Sequence, residues 1–206
     1  MVSKIVRDFL PLLNMIDELM QQKKDVIVAI DGNSAAGKSS LAGLLKSVYT
    51  CNIFPMDDFF LMPEQRTAKR FGEPGGNIDY ERFGEEVIKP LKSAKPFTYR
   101  PFDCGTGELT APVSVTPKPL SVVEGVYCLH PRFIGAYDIK VFLSLGEAEQ
   151  RRRLYERDAG LYDRFMEEWI PLENRYFDYF QIPGQCDLVF NMSTAQGIRE
   201  QDYNFE

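Results

Sequence analysis

The chain has 206 residues, 44% of them hydrophobic and 26% charged, which is enough for one compact domain with a full core. The formal net charge of −6 argues against a general nucleic-acid binder, because such proteins carry a basic excess. The apolar runs are too short to cross a membrane, and charges interrupt the N-terminal region where a signal peptide would be apolar. The four cysteines are scattered without a Cys-x-x-Cys pair, so we expect a cytoplasmic protein with no disulfide framework, metal cluster, nucleic-acid partner or membrane partner.

The start of the chain alternates helical periodicity with a short apolar run. Residues 3–22 carry apolar side chains at helical spacing, which predicts an amphipathic helix. The run at 25–30 is rich in β-branched residues and predicts a buried strand. A glycine-containing stretch follows, and a second helix is predicted after it because the apolar residues over 41–48 share one face.

The middle of the chain is more irregular. A second strand is predicted over 52–56, although Pro55 weakens it. Residues 62–79 are loop-like, and the apolar spacing over 83–91 predicts another helix. Prolines and glycines interrupt residues 95–119, which predicts a hairpin or loop.

The C-terminal half returns to strands and helices. Residues 146–158 have a helical composition but are nearly all charged, and residues 161–180 are aromatic-rich and predicted helical, with a break near Pro171. Three further apolar strands are predicted at 120–125, 138–145 and 187–191. Five apolar strands alternating with helices predict an α/β fold: a five-stranded, doubly wound parallel sheet with helices on both faces and a small hairpin or loop insert.

The stretch between the first strand and the second helix matches the phosphate-loop pattern G-x-x-x-x-G-K-[ST]. Glycines let the backbone turn its N–H groups toward phosphates, and a helix N-terminus favours an anion. Lys38 would reach the β and γ phosphates, and Ser39 would offer a hydroxyl to Mg²⁺. The motif therefore predicts a P-loop NTPase fold that binds a nucleoside triphosphate with Mg²⁺; the alternative is an ordinary Gly/Ser-rich turn. The predicted nucleotide-binding residues are Gly32, Asn33, Ser34, Ala35, Ala36, Gly37, Lys38, Ser39 and Ser40.

Other segments narrow the class of nucleotide-binding protein. The N-K-x-D guanine motif of GTPases and the L-S-G-G-Q signature of transporter ATPases are both missing. A short chain with loops after the second strand fits a small-molecule kinase. One alternative is a nucleotide-dependent regulator or chaperone without a small-molecule acceptor, and another is a P-loop relic used for protein contacts.

Three carboxylates are predicted at the carboxyl edge of the sheet, where ligands bind in this architecture. Glu124 ends the third strand, so we predict that it assists Mg²⁺ together with Ser39; the alternative is an exposed strand-end glutamate. Asp57 and Asp58 follow the second strand. Because neighbouring side chains of an extended backbone point to opposite sides, only one can face the γ-phosphate. The other would cap the following turn or pair with a basic residue such as Arg66 or Arg70; the alternative for both is a turn-forming pair.

Six segments, in order and spacing, resemble the uridine kinase-like group of P-loop kinases. They are "DGNSAAGKSS", "PMDDFF", "GGNIDYERF", "VVEGVYCLHP", "VFLSLGEAEQRRRLYERD" and "FMEEWIPLENRYF". That group includes uridine/cytidine, nicotinamide riboside and pantothenate kinases and phosphoribulokinase. The resemblance covers residues 25–191 and implies transfer of the γ-phosphoryl group of ATP to a hydroxyl of a nucleoside-like or sugar-like metabolite. We expect one kinase domain over 1–206, with an acceptor-side region at 62–118, a lid at 146–165, and an N-terminal helix at 1–24 that lies outside the resemblance.

The resemblance also implies roles for individual residues. Asp57 matches the catalytic base, Glu124 the metal-assisting glutamate, and Asn77 and Asp79 the segment that holds acceptor hydroxyls. Arg153 and Arg157 match the lid arginines; they share a helix face and would act with Lys38 on the transferring phosphoryl group. The alternative for this segment is a solvated charged helix.

The chain departs from uridine kinases at one segment. Those enzymes carry a Y-D-x-x-x-H segment that contacts the base, whereas here Tyr99 is followed by Arg100 and no histidine. Tyr99 and Arg100 are predicted to line the acceptor pocket, with hairpin packing as the alternative. Uridine or cytidine therefore does not follow as the acceptor, and a homo-oligomer is compatible with the sequence without being required by it.

Overall fold

The computed structural model describes residues 7–193, so residues 3–6 of the predicted first helix lie outside the described part. The strands are β1 Val26–Gly32, β2 Cys51–Pro55, β3 Phe97–Tyr99, β4 Phe102–Asp103, β5 Glu108–Leu109, β6 Val113–Val115, β7 Leu120–Glu124, β8 Ile139–Ser144 and β9 Leu188–Asn191. The helices are α1 Leu10–Gln22, α2 Lys38–Val48, α3 Ala68–Gly72, α4 over 80–91, α5 Glu147–Arg157 and α6 over 162–180. Short 3₁₀ turns cover Met56–Phe59, Pro63–Gln65, Ile134–Ala136 and Ile182–Gln185.

Five strands form one all-parallel sheet in the order β2-β7-β1-β8-β9. Side chains alternate between its two faces. On β1, Val28 and Ile30 pack with α1 and α2, whereas Ile27 and Ala29 pack with α4 and α6 on the opposite face. Helices therefore cover both faces, and the predicted doubly wound α/β fold is confirmed.

The sheet register brings three functional segments to one edge. Within the sheet, Glu124 at the end of β7 lies opposite both Ile30 of β1 and Pro55 of β2. The chain continues from β1 into the phosphate loop and from β2 into the turn Met56–Phe59. Because all three strands are parallel, these continuations leave the sheet on the same side.

The insert between α4 and β7 consists of two antiparallel strand pairs, β3 with β6 and β4 with β5. Aromatic contacts attach it to the core. The Phe97 ring stacks on Phe54 at 6.1 Å, and the Tyr99 ring stacks on Phe59 at 5.7 Å. The predicted hairpin is therefore present, and it packs directly beside the turn that carries the paired aspartates.

The structure corrects three sequence-based expectations. The second strand covers Cys51–Pro55 rather than 52–56, because Met56 already begins the 3₁₀ turn. Residues 62–79, expected to be a loop, contain the turn Pro63–Gln65 and α3.

None of the helices within residues 7–193 is both long and apolar enough to cross a bilayer.

The third correction concerns Pro171, where a break in the helix was predicted and none is found. A π-helical segment, Phe165–Trp169, immediately precedes the α-helical segment Ile170–Phe180, in which Pro171 is the second residue. Proline lacks an N–H and its ring clashes with a carbonyl one turn earlier, and the wider π turn accommodates both. In α4 the segment Gly84–Ile88 precedes Pro90 in the same way.

Candidate active site

The phosphate loop connects β1 to α2 and is fastened to its surroundings by polar contacts. Lys38 Nζ donates hydrogen bonds to the carbonyls of Gly32, at 2.8 Å, and Asn33, at 2.9 Å. The Asn33 side chain accepts a hydrogen bond from Leu145 N–H at 2.9 Å. Gly37 caps α2 with a φ of +98°, in the left-handed region that favours glycine. The loop thus leads directly into the N-terminus of α2, the end of a helix that favours an anion.

A cavity of about 1390 Å³ opens over this loop. It extends from the loop to the turn after β2, the end of β7, and the helices α5 and α6. Among the predicted site residues, its lining includes Ser34, Ala35, Gly37, Lys38, Ser39, Ser40, Asp57, Asn77, Glu124, Arg153 and Arg157. A cavity of this size has room for a nucleotide and a second small molecule.

Glu124 and Ser39 form a candidate oxygen-ligand pair at the phosphate loop. Burial raises the pKa of Glu124, while the Lys38 charge and a hydrogen bond with Ser39 act in the opposite direction. A hydroxyl and a carboxylate are hard oxygen donors, so they fit Mg²⁺. Residues 7–193 contain no cluster of three or more Asp, Glu, His or Cys side chains arranged for a metal ion. A magnesium ion here would therefore take its remaining ligands from water and phosphate oxygens.

The two adjacent aspartates have different surroundings. Asp57 is exposed and lines the cavity. Asp58 is half-buried; its carboxylate accepts a hydrogen bond from the Tyr99 hydroxyl at 3.2 Å, and its backbone carbonyl accepts one from Arg82 at 2.8 Å. Burial raises the pKa of Asp58, and the neighbouring Asp57 raises it further. The structure thus places only Asp57 in the cavity.

Arg66 and Arg70, the basic partners considered for the second aspartate, have other partners. Arg66 Nε donates to the Leu61 carbonyl at 3.1 Å. Arg70 forms an ion pair with Glu81 at 2.6 Å. Neither pairing with Asp58 predicted from the sequence is therefore found, because the hairpin and α4 supply Tyr99 and Arg82 instead.

The structure separates the residues expected on the acceptor side. Asn77 lines the cavity, but Asp79 is buried as the N-cap of α4, where it accepts hydrogen bonds from Arg82 N–H at 3.0 Å and Gln65 Nε2 at 2.9 Å. Tyr99 is buried against Asp58, and Arg100 donates to backbone carbonyls of its own insert, including that of Thr110 at 3.0 Å. Asp79, Tyr99 and Arg100 are therefore not brought to the cavity lining.

The two predicted lid arginines also differ. Arg153 is half-buried, with hydrogen bonds to the Ala35 carbonyl of the phosphate loop at 3.4 Å and to the Met192 carbonyl at 2.9 Å. Arg157 is exposed and lies over the Phe165 ring, 4.8 Å from its centroid. Both line the cavity. Arg153 therefore connects α5 to the loop, whereas the guanidinium of Arg157 remains accessible from the cavity.

Sequence reasoning missed two buried carboxylates beside the loop. Asp31, at the end of β1, accepts hydrogen bonds from Gly32 N–H, Leu129 N–H and the Tyr176 hydroxyl, and burial raises its pKa to about 6. Glu173 of α6 is 4% exposed and accepts hydrogen bonds from Ser34. The sequence did indicate that Glu173 is buried. It lies three residues after Ile170 and four before Phe177, so it shares a helix face with these apolar side chains.

No protein-family model and no curated protein matches the chain, whereas several solved structures do. The chain is similar to the structure of a possible uridine kinase from Bacillus stearothermophilus, at 20% identity over 88% of this chain and 100% of that one, with a TM-score of 0.63. It is also similar to D-glycerate 3-kinase from Cryptococcus neoformans (13% identity, 92% and 96% covered, TM-score 0.57). A third is phosphoribulokinase from Rhodobacter spheroides (15% identity, 85% and 76% covered, TM-score 0.56). The resemblance noted in the sequence is thereby confirmed at the level of the fold, which is that of P-loop kinases.

Proposed function

We propose that this protein is an ATP-dependent kinase of the uridine kinase-like group, which transfers the γ-phosphoryl group to a hydroxyl of a small nucleoside-like or sugar-like metabolite. One observation carries the proposal: the exposed carboxylate of Asp57 and the phosphate loop with Lys38 line the same cavity. A nucleotide-binding regulator needs the loop but not a carboxylate opposite it. Phosphoryl transfer to an alcohol needs both.

The roles of the polar groups follow from the chemistry of phosphoryl transfer. Lys38 and the loop amides would hold the phosphates, and Ser39 and Glu124 would hold Mg²⁺, which would neutralise charge on the phosphate oxygens. Asp57 orients the acceptor hydroxyl and takes its proton as the new bond forms. Because the transition state is loose, accurate positioning by Asp57 matters more than its strength as a base.

The arginines of α5 complete the phosphate end. Arg157 offers an accessible guanidinium that stabilises charge developing on the transferred group. Arg153 connects α5 to the loop carbonyl of Ala35, so movement of α5 is coupled to the phosphate loop. The charged helix α5 therefore acts as a lid that excludes water from the reacting groups.

A screen for acceptor-dependent ADP release tests this proposal. The purified chain is incubated with Mg·ATP and a panel of nucleosides, ribosides, polyols and sugars, and products are identified by mass. We expect ADP release to rise with at least one hydroxyl compound, which gains a phosphoryl group, and to be lost in Lys38→Ala. ATP turnover that no added alcohol increases would contradict the proposal and favour a nucleotide-dependent regulator.

A further inference from the structure

The walls of the cavity differ in charge. The acceptor side, defined as the wall made by Asp57, Phe60, Asn77, Tyr127 and Glu173, contains two carboxylates and no lysine or arginine. The cations that line the cavity within residues 7–193 come from the phosphate loop, α5 and the start of α6, and they are Lys38, Arg152, Arg153, Arg157 and Arg164.

Several of these cations are already paired. Arg152 forms ion pairs with Glu149 and Glu156, both at 2.6 Å, and Arg164 pairs with Glu168 at 3.0 Å. Lys38 is hydrogen-bonded to loop carbonyls and is needed for the phosphates of the nucleotide. Positive charge is thus concentrated at the phosphate end, and the described residues of the acceptor side offer no cation to an anionic group.

Glu173 lies at the junction between these two parts of the cavity. Its Oε1 accepts a hydrogen bond from the Ser34 hydroxyl at 2.5 Å, and its Oε2 accepts one from Ser34 N–H at 3.1 Å. Burial raises the pKa of Glu173; the Lys38 charge and the hydrogen bonds from Ser34 lower it and favour the charged carboxylate, and the Asp57 charge raises it. Because Lys38 reaches toward the transferred phosphate and Asp57 toward the acceptor hydroxyl, the Glu173 carboxylate lies where donor and acceptor meet.

The hydrogen bonds to Ser34 do not saturate this carboxylate. Each carboxylate oxygen has about two acceptor positions, and Ser34 occupies one on each. One position per oxygen remains for hydroxyl groups of a substrate. A carboxylate or phosphate ester brought to the same place would instead meet Glu173 and Asp57, two like charges in a partly buried site, where repulsion is screened less than in water.

We propose that Glu173 is a specificity-determining residue that restricts the acceptor to uncharged or cationic polyhydroxy compounds and excludes carboxylates and phosphate esters. This inference rests on the proposed kinase function. Glu173 acts by accepting hydrogen bonds from acceptor hydroxyls and by repelling anionic substituents. Its contact with Ser34 fixes the carboxylate in position while it does so.

Matched acceptors that differ by one anionic group test the inference. The pairs are uridine against orotidine, glycerol against glycerate, and ribose against ribose 5-phosphate, each with Mg·ATP. For every pair with activity, we expect kcat/KM of the uncharged member to exceed that of the anionic member by at least about tenfold. Preference for the anionic members would overturn the inference while leaving the kinase function intact.

Variants of Glu173 separate its charge from its structural contacts. The preference is the ratio of kcat/KM for the uncharged acceptor to kcat/KM for its anionic partner. Glu173→Gln should reduce this ratio by about tenfold, mainly by lowering KM for the anionic acceptor, whereas Glu173→Asp should leave the ratio unchanged. Glu167→Gln, an exposed position on the same helix, is the matched control and should leave the preference unchanged. An unchanged preference in Glu173→Gln would overturn the inference. If Mg·ATP binds and no acceptor of any charge is phosphorylated, the kinase function itself fails and the inference with it.

Discussion

The Tyr99 hydroxyl donates a hydrogen bond to the Asp58 carboxylate across 41 residues of sequence, at 3.2 Å. This contact holds the second of two adjacent aspartates against the hairpin insert. Arg82 strengthens the arrangement, because it donates to the Asp58 carbonyl and lies over the Phe59 ring, 4.3 Å from its centroid. Asp57, one residue earlier, stays exposed in the cavity. Two chemically identical neighbours thus differ in what they can contact.

The close approach of the phosphate loop to β8 predicts a difference between two glycine variants. In Gly32→Ala the new Cβ would lie 2.2 Å from the Leu143 carbonyl oxygen at a φ of +140°, so we expect a loss of on the order of 3 kcal/mol or more in the free energy of unfolding. In Gly37→Ala the new Cβ has no atom within 4 Å, at a φ of +98°. We therefore expect a smaller loss in the free energy of unfolding, about 1–2 kcal/mol, from backbone strain alone. Urea unfolding measures both. Equal losses would contradict the packing role assigned to Gly32.

The buried carboxylate of Asp31 predicts a pH dependence of stability. Burial raises its pKa in the folded state from 3.8 to about 6. The folded state therefore holds a proton that the unfolded state releases, so this contribution to stability is full below pH 3.8 and is lost as the pH rises to about 6. Two pKa units correspond to about 3 kcal/mol.

Asp31→Asn cannot titrate, so the wild-type stability should fall relative to that of the variant as the pH rises through this window. Tyr176→Phe removes a hydrogen bond that favours the charged carboxylate, so it should raise the pKa of Asp31 and steepen the fall. Urea unfolding at several values between pH 4 and pH 6.5 checks both expectations. Parallel profiles for wild type and Asp31→Asn would show that Asp31 does not titrate in this range.

The accessible guanidinium of Arg157 predicts a defect in turnover rather than in binding. We expect Arg157→Ala to lower kcat by about tenfold to a hundredfold with a smaller change in KM for ATP, because the charge acts most strongly on the transition state. Arg151 on the same helix is exposed and pairs with Glu147 at 2.7 Å, so Arg151→Ala is the control and should stay within about twofold of wild type. Initial rates of ADP release measure both. Similar defects in the two variants would assign the effect to α5 as a whole.

The parts of the fold that could be predicted from the sequence depend on local patterns. The β-branched run of β1 and the glycines and Lys38 of the loop lie within fifteen residues, so neighbouring positions already specify strand, loop and helix. The parallel α/β class also follows once five apolar strands alternate with helices, whereas the order β2-β7-β1-β8-β9 was not predicted, because alternation alone allows several orders. Pro171 misled the prediction because the π segment that accommodates it has no simple sequence signature.

The site was harder to predict because its polar contacts join distant segments. Glu173 meets Ser34 across 139 residues, and Tyr176 meets Asp31 across 145, and no spacing in the sequence encodes either contact. Asp79 matched an acceptor-binding motif, yet the start of α4 uses its carboxylate as a helix cap, a role for which aspartate is equally suited. The residue type alone therefore could not distinguish an acceptor-binding aspartate from a helix cap.

The central claim is that Asp57, and not Asp58, meets the acceptor hydroxyl, and the activity of Asp57→Asn tests it most directly. With an active acceptor and Mg·ATP, we expect Asp57→Asn to lower kcat by about a hundredfold or more while nucleotide titration shows nearly unchanged ATP binding. Asp58→Asn keeps an oxygen that can accept from Tyr99, so it should retain most of the turnover. Full activity in Asp57→Asn, or loss of transfer only in Asp58→Asn, would contradict the account.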